Sequence, residues 1–354
     1  MKKILQIGSA FIGVIVGAGF ASGKEILQYF TSFGLAGILG ALLATILFSY
    51  LGFTLMKIGS RMDTASHKEA IYQISGPYLG KVIDYIIIFT IFGVGVVMIA
   101  GAGSNLKQQF GLPSIVGTTA MVLLILLTVM VNIDRFVAII GSITPFLIIV
   151  IAFLSIYSLA TMEGSFASLA PIASSQSTTL PNWFISAINY VSFNIALGAS
   201  MAIVMGGAER NEQTAALGGL IGGAGIGLLI TLSHLAIFAN IESVGGFDMP
   251  ILELSNQISP LLGLFVSIVL FGMIFNTGAS MFFSFGSRFL EPGTKKFRVF
   301  LSITLIAAYA LSFVGFTDLV SYFYPLIGYL GLFLMGALVI APFRMKRMGQ
   351  KTEG

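Results

Sequence analysis

The sequence predicts an all-α integral membrane protein with ten transmembrane helices. Of its 354 residues, 56% are hydrophobic, and the 18 basic and 14 acidic residues make up only 9%. A soluble domain has about 25% charged residues, so this chain cannot cover a water-exposed surface of its size. The composition therefore excludes a soluble enzyme, a nucleic-acid-binding protein and a disordered chain.

Charged segments and segments rich in Pro, Ser or Asn divide the hydrophobic sequence into ten runs, which we call spans 1 to 10. A helix needs about 20 residues to cross a bilayer, and each run supplies about that many. The runs are continuous rather than alternating, which argues against strands. The predicted spans are 4–32, 34–58, 79–103, 113–131, 136–160, 183–207, 214–239, 260–287, 298–315 and 318–342.

The distribution of basic residues supports this division. With the N-terminus in the cytoplasm, 16 of the 18 Lys and Arg residues fall on the cytoplasmic side, and only Lys24 and Lys107 fall outside. Lys and Arg are enriched in cytoplasmic loops, and one miscounted helix would move every later loop to the wrong side. We therefore predict a multi-pass protein of a bacterial cell membrane with both termini in the cytoplasm. The segments 161–182 and 240–259 carry no Lys or Arg and are predicted as outer loops.

The ten spans form a single domain that divides into two halves of five. If the halves, about 1–160 and 180–342, share a fold, the odd number of spans requires them to be inverted in the membrane. Inverted repeats are typical of transporters, whose binding sites lie where helices are broken near mid-membrane. Small residues cluster about halfway along spans 1 and 6, at Gly17-Ala18-Gly19 and at Ala196–Ser200. We therefore predict a break in both spans, although the Gly13-x-x-x-Gly17 spacing also fits close helix packing.

The same residues carry a resemblance to a known family. The string from Gly13 to Phe20 resembles the first-helix motif of transporters with the leucine-transporter (LeuT-type) fold, in which a Gly-x-Gly unwinds beside the substrate. Phe193–Gly198 resembles the sixth-helix motif of those proteins, and Val16–Glu25 resembles the uncharacterised YkvI-type bacterial membrane proteins of the amino acid–polyamine–organocation superfamily. The resemblance implies a solute site at the two breaks. Its predicted residues are Gly17, Ala18, Gly19, Phe20, Phe193, Asn194, Ala196 and Gly198.

The resemblance also implies a sodium site between spans 1 and 8. The span 1 carbonyls of Gly13 and Val16 and the side-chain oxygens of Asn276, Thr277 and Ser280 are its expected ligands. The alternative is that these side chains bond to their own helix or to a neighbour, which is common in membranes. Phe20 stands where some relatives have an Asn for a second sodium ion, so that site is not expected. Span 5 lacks the lysine of some proton-coupled relatives.

Two charged residues follow the predicted break toward the outer side. Lys24 and Glu25 lie inside span 1, and Asp318 begins span 10 on the same side. An ionisable residue within a span is costly and indicates function by default. The resemblance implies that Lys24, Glu25 and Asp318 form an outer gate with a Lys24–Asp318 pair. The alternative is that Lys24 and Glu25 extend to the outer membrane surface.

These features predict a secondary active transporter that uses a cation, sodium rather than proton, to take up a small solute such as an amino acid or amine. The chain has no cysteine, and its two histidines, His67 and His234, are far apart, so no thiolate or zinc site is expected. Walker A and HExxH motifs are absent from the sequence, which argues against ATP-driven transport and against an enzyme. The sodium ion is the only cofactor expected, and the solute and the lipid bilayer are the only partners. A solute receptor without net transport, or a channel-like or structural protein, are the alternatives.

Overall fold

The computed structural model describes residues 1–62, 67–130 and 144–352. Throughout these residues the chain forms helices joined by short connections, and they contain no strand. Helix is expected because a membrane-spanning segment must satisfy its backbone hydrogen bonds internally.

Span 1 is broken, as predicted. It forms three short helices, α1 (Lys2–Ile15), α2 (Ala18–Ser22) and α3 (Lys24–Tyr29). Gly17 is extended, with φ −89° and ψ −172°. Gly23 has φ +80° and a built Cβ there would stand 2.7 Å from Ile251 Cγ1, so both its conformation and its surroundings require glycine.

Spans 2 and 4 agree with the predicted positions within a few residues, whereas predicted span 3 lies inside a longer helix that begins before residue 79 and ends after residue 103. A bend at Gly76, where φ is +79°, precedes Pro77 near the beginning of the third. Residues 136–143 of predicted span 5 lie outside the described residues. These helices are α4 (Ala36–Met62), α5 (His67–Phe110), α6 (Ser114–Met130) and α7 (Thr144–Ala160).

The second half contains five helices at the predicted positions, and its first is continuous. The predicted break in span 6 is therefore wrong, because the helix runs from Trp183 to Gly207 without interruption. Ala196 and its neighbours are all compatible with helix, and Gly198 serves close packing instead: a Cβ there would stand 2.6 Å from Ile15 Cδ1. The five helices are α9 (Trp183–Gly207), α10 (Glu212–Ala239), α13 (Pro260–Ser287), α14 (Lys295–Ser312) and α16 (Tyr324–Thr352), the last preceded by α15 (Phe316–Asp318) and a π-helical turn (Leu319–Phe323).

The two predicted outer loops contain short helices of their own. Segment 161–182 forms α8 (Phe166–Ser174), whose first turn is closed by reciprocal hydrogen bonds between Ser165 and Ser168. Segment 240–259 forms α11 (Ile241–Val244) and α12 (Pro250–Ile258). Residues Met249 to Leu252 are buried, so this segment is part of the core rather than a solvated loop.

Six of the described helices are long and apolar enough to cross a membrane. The shorter spans have identifiable reasons: the break divides span 1, and Lys295, Lys296 and Arg298 begin α14. The two apolar stretches Ser114–Thr128 and Pro145–Ala160 are the described parts of spans 4 and 5, on either side of the residues outside the described ranges. The six are Ala36–Met62, Ser75–Phe110, Trp183–Gly207, Glu212–Ala239, Pro260–Ser287 and Phe316–Ala341.

Helices α1, α4, α9 and α10 form one bundle in which glycines allow the backbones to touch. A Cβ built on Gly219 of α10 would overlap the carbonyl of Gly52 in α4, and one built on Gly59 would overlap the carbonyl of Ile203 in α9. Van der Waals packing between small residues is a main source of helix association in lipid. These four helices correspond to spans 1, 2, 6 and 7.

Ion pairs mark one end of the molecule. Glu209 bonds Lys3 at 2.8 Å, and Glu212 bonds Arg61 at 3.0 Å and Lys57 at 3.2 Å. We call this end, which also contains the N-terminus, the terminal face, and the end with Lys24, Asp248 and Asp318 the loop face. Residues assigned to the same side of the membrane from the sequence thus meet in space.

Candidate solute and ion site

The break in span 1 leaves backbone groups without hydrogen bonds. Among the described residues, no hydrogen bond ends on the carbonyl oxygen of Gly13 or Val16, and none begins at the amide of Ala18 or Gly19. The Gly17 amide donates to Ile15 O at 2.9 Å rather than to Gly13 O, which would be its partner in a continuous helix. In an apolar environment such groups cost free energy unless a ligand or water pairs with them. The break therefore offers carbonyls at one end and amides at the other.

The break faces α13, the helix of span 8. A Cβ built on Gly17 would meet one described atom within 4 Å, the Thr277 hydroxyl oxygen at 4.0 Å. Gly17 is half-buried, whereas Ala18 and Phe20 are buried. The space beside Gly17 therefore lies between the broken helix and Thr277, where the sequence places both the solute and the ion.

The α13 side chains at this position are free to bind a ligand. Asn276 Oδ1 is buried without a hydrogen-bond partner. The hydroxyls of Thr277 and Ser280 make no hydrogen bond to any described residue, whereas Thr45 and Thr90 on other spans bond to the carbonyl four residues earlier. The alternative in which the α13 hydroxyls bond to their own helix is thus not observed.

This donor set is chemically suited to a hard monovalent cation. The oxygens of Asn276, Thr277 and Ser280 are neutral, and so are the carbonyls of Gly13 and Val16. Hard cations take oxygen ligands, and the C-terminal end of α1 adds the negative end of its dipole. The residues present fit a sodium ion, which would neutralise the unpaired carbonyls.

Glu25 lies against the other glycine of the motif. A Cβ built on Gly19 would overlap Glu25 Oε1, so only glycine leaves room for the carboxyl group at this place. Glu25 Oε2 accepts a hydrogen bond from the Tyr190 hydroxyl of α9 at 3.2 Å, and Glu25 is 4% exposed. The sequence predicted Glu25 as an outer gate residue, but the carboxyl group is buried between span 1 and span 6.

The predicted residues of span 6 pack rather than line a break. Phe193 is buried and stacks on Tyr324, with ring centroids 4.3 Å apart. The Asn194 side chain donates to the Tyr190 carbonyl at 3.0 Å, one turn back on its own helix. Ala196 is buried, so the solute contacts expected from unwound span 6 backbone do not arise from this arrangement.

The predicted Lys24–Asp318 pair is not formed. Lys24 Nζ instead donates to the Phe247 carbonyl at 3.2 Å, in the segment between α11 and α12. The next residue, Asp248, accepts from Ser104 of α5 at 2.8 Å and from Thr317 of α15 at 2.6 Å. This segment comes between Lys24 and the beginning of span 10.

Asp318 lines a cavity of about 190 Å³ on the loop face. Asp248 and Lys107 line the same cavity, and so do Ser104 and Thr317. The contacts of Asp248 and Lys24 tie spans 1, 3 and 10 together around this cavity. These contacts close the loop face, because spans 1, 3 and 10 are all bonded to the same segment there.

Sequence reasoning missed two residues that matter here. Asp248 was placed in an outer loop, and its carboxylate is the centre of the closure on the loop face. The other is Tyr190 of α9, whose contact with Glu25 the sequence did not predict. A buried acid in a span is a sign that a hydrogen-bonding partner exists, although the sequence alone does not say on which helix.

Known proteins are similar to this chain over nearly its whole length. No protein-family model matches it. The uncharacterised membrane protein YkvI of Bacillus subtilis is 27% identical over 337 residues, covering 94% of each chain. The uncharacterised protein YyaD of the same organism is 25% identical over 346 residues, covering 98% of each.

Solved structures of other proteins superimpose on most of this chain. MhsT in complex with L-phenylalanine superimposes with a TM-score of 0.65 at 16% identity, over 96% of each chain. Mhp1 in its inward-facing conformation gives 0.62 at 12% identity, over 98% of this chain and 77% of Mhp1. The chain has the LeuT-type fold. The predicted all-α membrane architecture with inverted repeats and the predicted resemblance to YkvI-type proteins are confirmed.

A manganese transporter of Eremococcus coleocola superimposes less closely. Its TM-score is 0.52 at 14% identity, and the match covers 96% of this chain and 78% of the transporter. The fold of this chain is therefore one that transport proteins use.

Proposed function

We propose that this protein is a sodium-coupled secondary active transporter of a small solute, with an amino acid as the preferred class. The observation that carries the proposal is the unpaired backbone of the broken span 1 facing the unbonded hydroxyl of Thr277. Asn276, the preceding residue of α13, adds a buried side-chain oxygen without a hydrogen-bond partner. A break of this kind is stable in a membrane only when it is buried in protein or lines a cavity. The complex of MhsT with L-phenylalanine supports an amino acid as the solute class.

The solute is placed beside Gly17, Ala18 and Gly19. The free amides of Ala18 and Gly19 suit a carboxylate, because the N-terminal end of a half-helix carries partial positive charge. The carbonyls of Gly13 and Val16 at the opposite end suit the cation. A manganese ion as cargo is less well matched, because manganese favours carboxylate ligands and the ligand set here is neutral.

Alternating access follows from the way span 1 is held. The α1 segment packs against α10 through Gly8, whose built Cβ would stand 3.2 Å from Gly218 O. Beyond the break, Lys24 donates to Phe247 O in the segment between α11 and α12, and Gly23 packs against Ile251 of α12. We propose that the bundle of α1, α4, α9 and α10 moves relative to α5 and α13, and that sodium at the break fixes the shape that binds solute.

Uptake into proteoliposomes tests the proposal. Purified protein is reconstituted, and accumulation of radiolabelled amino acids is measured with sodium or choline outside. We expect accumulation in sodium only, and a Thr277→Val variant should need about tenfold to hundredfold more sodium, since one bond to a charged group contributes about 1.5–3 kcal/mol. Thr304→Val is the matched control, because the Thr304 hydroxyl bonds to Phe300 O within α14.

Two outcomes would contradict the proposal. Equal uptake in sodium and choline removes sodium coupling. Solute binding without accumulation favours the alternative of a receptor on the same fold.

The cell membrane location with both termini cytoplasmic is proposed from the charge distribution. Reporter fusions at Gly354 and at Ser174 should report the inside and the outside, respectively. A Gly354 fusion that reports the outside would overturn the orientation.

A further inference from the structure

Glu25 is a buried carboxyl group between span 1 and span 6, and it has no basic partner among the described residues. It lies on α3, two residues after Gly23, and its side chain is 4% exposed. Sodium coupling through α13 makes no use of it. Oε2 accepts the Tyr190 hydroxyl at 3.2 Å, and Oε1 lies over Gly19 without a hydrogen bond from any described residue.

The described surroundings of Glu25 provide no positive charge. The helices that pack around it contribute phenols: Tyr29 from α3 itself, Tyr190 from α9 and Tyr324 from α16. His234 of α10 directs Nδ1 to the Thr31 hydroxyl at 3.0 Å rather than to Glu25. Neutral aromatic groups with one hydrogen bond do not compensate a buried carboxylate.

The nearest basic residue in sequence is also occupied elsewhere. Lys24 points to the loop face and donates to Phe247 O. Glu25 is in none of the ion pairs formed by described residues, which join Lys3 to Glu209, Lys57 and Arg61 to Glu212, and Arg288 to Asp84.

We propose that Glu25 binds a proton in this closed arrangement and releases it when the outer part of span 1 separates from span 6. A carboxylate without a cation is strongly disfavoured in the membrane interior, so the neutral acid is the form that this site accommodates. Separation of α3 from α9 breaks the bond to Tyr190 and admits water, and the carboxyl group then ionises. The proton goes to water, and no other bond changes.

Gly19 and Gly23 make the protonation of Glu25 depend on the conformation of span 1 near the break. Gly19 provides the space that Glu25 Oε1 occupies. Gly23, at φ +80°, is the joint between α2 and α3 and would direct the movement of Glu25 away from α9. Because the closed state binds one proton more than the open state, raising the pH favours opening by at most about tenfold per pH unit.

Infrared difference spectroscopy of the reconstituted protein detects the proton directly. We expect a carbonyl stretching band of a protonated carboxyl group near neutral pH that disappears in Glu25→Gln and persists in Glu163→Gln, an exposed control. In Tyr190→Phe the band should remain and shift in frequency, because its hydrogen bond is lost. This variant keeps the test decisive if Glu25→Gln does not fold.

Labelling of a single cysteine measures the coupled movement. The chain has no native cysteine, so Ala21→Cys, which is fully buried here, reports opening when it reacts with a maleimide. Its rate, divided by the rate of the exposed Ser174→Cys, should rise with pH by up to about tenfold per unit. The rise should be absent when Glu25→Gln is added.

Two results would overturn the proposal. A wild-type spectrum without a band sensitive to Glu25→Gln would mean that Glu25 is ionised and has a cation, such as the ammonium group of a solute, as its partner. A labelling ratio that does not change with pH would mean that opening releases no proton from Glu25. Neither experiment needs solute or sodium, so this inference and sodium-coupled transport can fail independently.

Discussion

Replacing the two motif glycines by alanine should lower stability to very different extents, although they are two residues apart. The added methyl group at Gly19 would overlap Glu25 Oε1, and the one at Gly17 would meet only Thr277 Oγ1, at 4.0 Å. Gly19→Ala therefore displaces the buried carboxyl group, and Gly17→Ala does not.

The expected sizes follow from the groups that move. A displaced Glu25 loses the Tyr190 bond and costs about 1–3 kcal/mol, and overpacking costs about 1–3 kcal/mol more. The better helix propensity of Ala returns about 0.5–1 kcal/mol. The free energy of unfolding should fall by about 1–5 kcal/mol for Gly19→Ala, and by less than about 1 kcal/mol for Gly17→Ala at its N-cap position.

Thermal unfolding in detergent micelles, followed by circular dichroism, measures the difference. At about 2 °C per kcal/mol, Gly19→Ala should lower the melting temperature by about 2–10 °C. In a Glu25→Ala background the same change should cost less than about 1 kcal/mol, because the overlapping atom is gone. If Gly19→Ala is as stable as Gly17→Ala, or if Glu25→Ala does not relieve it, Glu25 does not occupy the space above Gly19.

Three further outcomes are expected. Gly219→Ala should lower stability by about 1–3 kcal/mol through contact with α4, whereas Gly336→Ala, with no atom within 4 Å, should raise it by about 0.5–1 kcal/mol, as thermal unfolding will show. The hydrogen bond from Lys3 holds the pKa of Glu209 below its ordinary value of 4.5. The pair therefore stabilises the fold above pH 4.5, and this stabilisation is lost as the pH falls through the lowered pKa of Glu209. A Lys3→Ala variant should not show this loss of thermal stability in acid. Asp248→Ala should accelerate hydrogen exchange in its own segment by about tenfold or more, since two hydrogen bonds are removed; unchanged exchange would mean that Asp248 does not hold the loop face closed.

Composition and charge were sufficient to predict most of the fold. Continuous apolar runs give membrane helices because a bilayer permits few other structures, and the basic residues fix how the runs are counted. The ends of α9 and α13 agree with the predicted spans 183–207 and 260–287. The break in span 1 was predictable because Gly17 and Gly19 both weaken a helix.

The break in span 6 could not be judged in the same way. Small residues allow a helix to unwind and also allow a neighbour to approach, and which effect wins depends on the neighbour. Gly198 lies against Ile15 at the end of α1, so the contact favours a continuous helix. The neighbour is set by tertiary packing, which the local sequence does not contain.

The partners of the charged residues were not predicted correctly, for a related reason. Lys24 and Asp318 lie on the same face, and proximity in topology suggested a pair. The segment 240–259 folds inward between them and provides Phe247 O as a nearer partner for Lys24, while its Asp248 bonds to Ser104 and Thr317. Long connections carry weak sequence patterns, and their polar residues often have functional roles.

The two sides of the break are attached to different parts of the protein, so a relative movement of those parts changes the shape of the site. Before the break, α1 is joined to α10 through close glycine contacts and to the helix end at Glu209 through Lys3. After the break, Lys24 is bonded to the segment beyond α11 and Glu25 to α9. A relative movement of these parts must be absorbed at Gly17, where the backbone is extended and the surroundings are open. A ligand that pairs the carbonyls and amides exposed there would favour one arrangement over the other, because a ligand shifts a conformational equilibrium only through its different affinity for the two states.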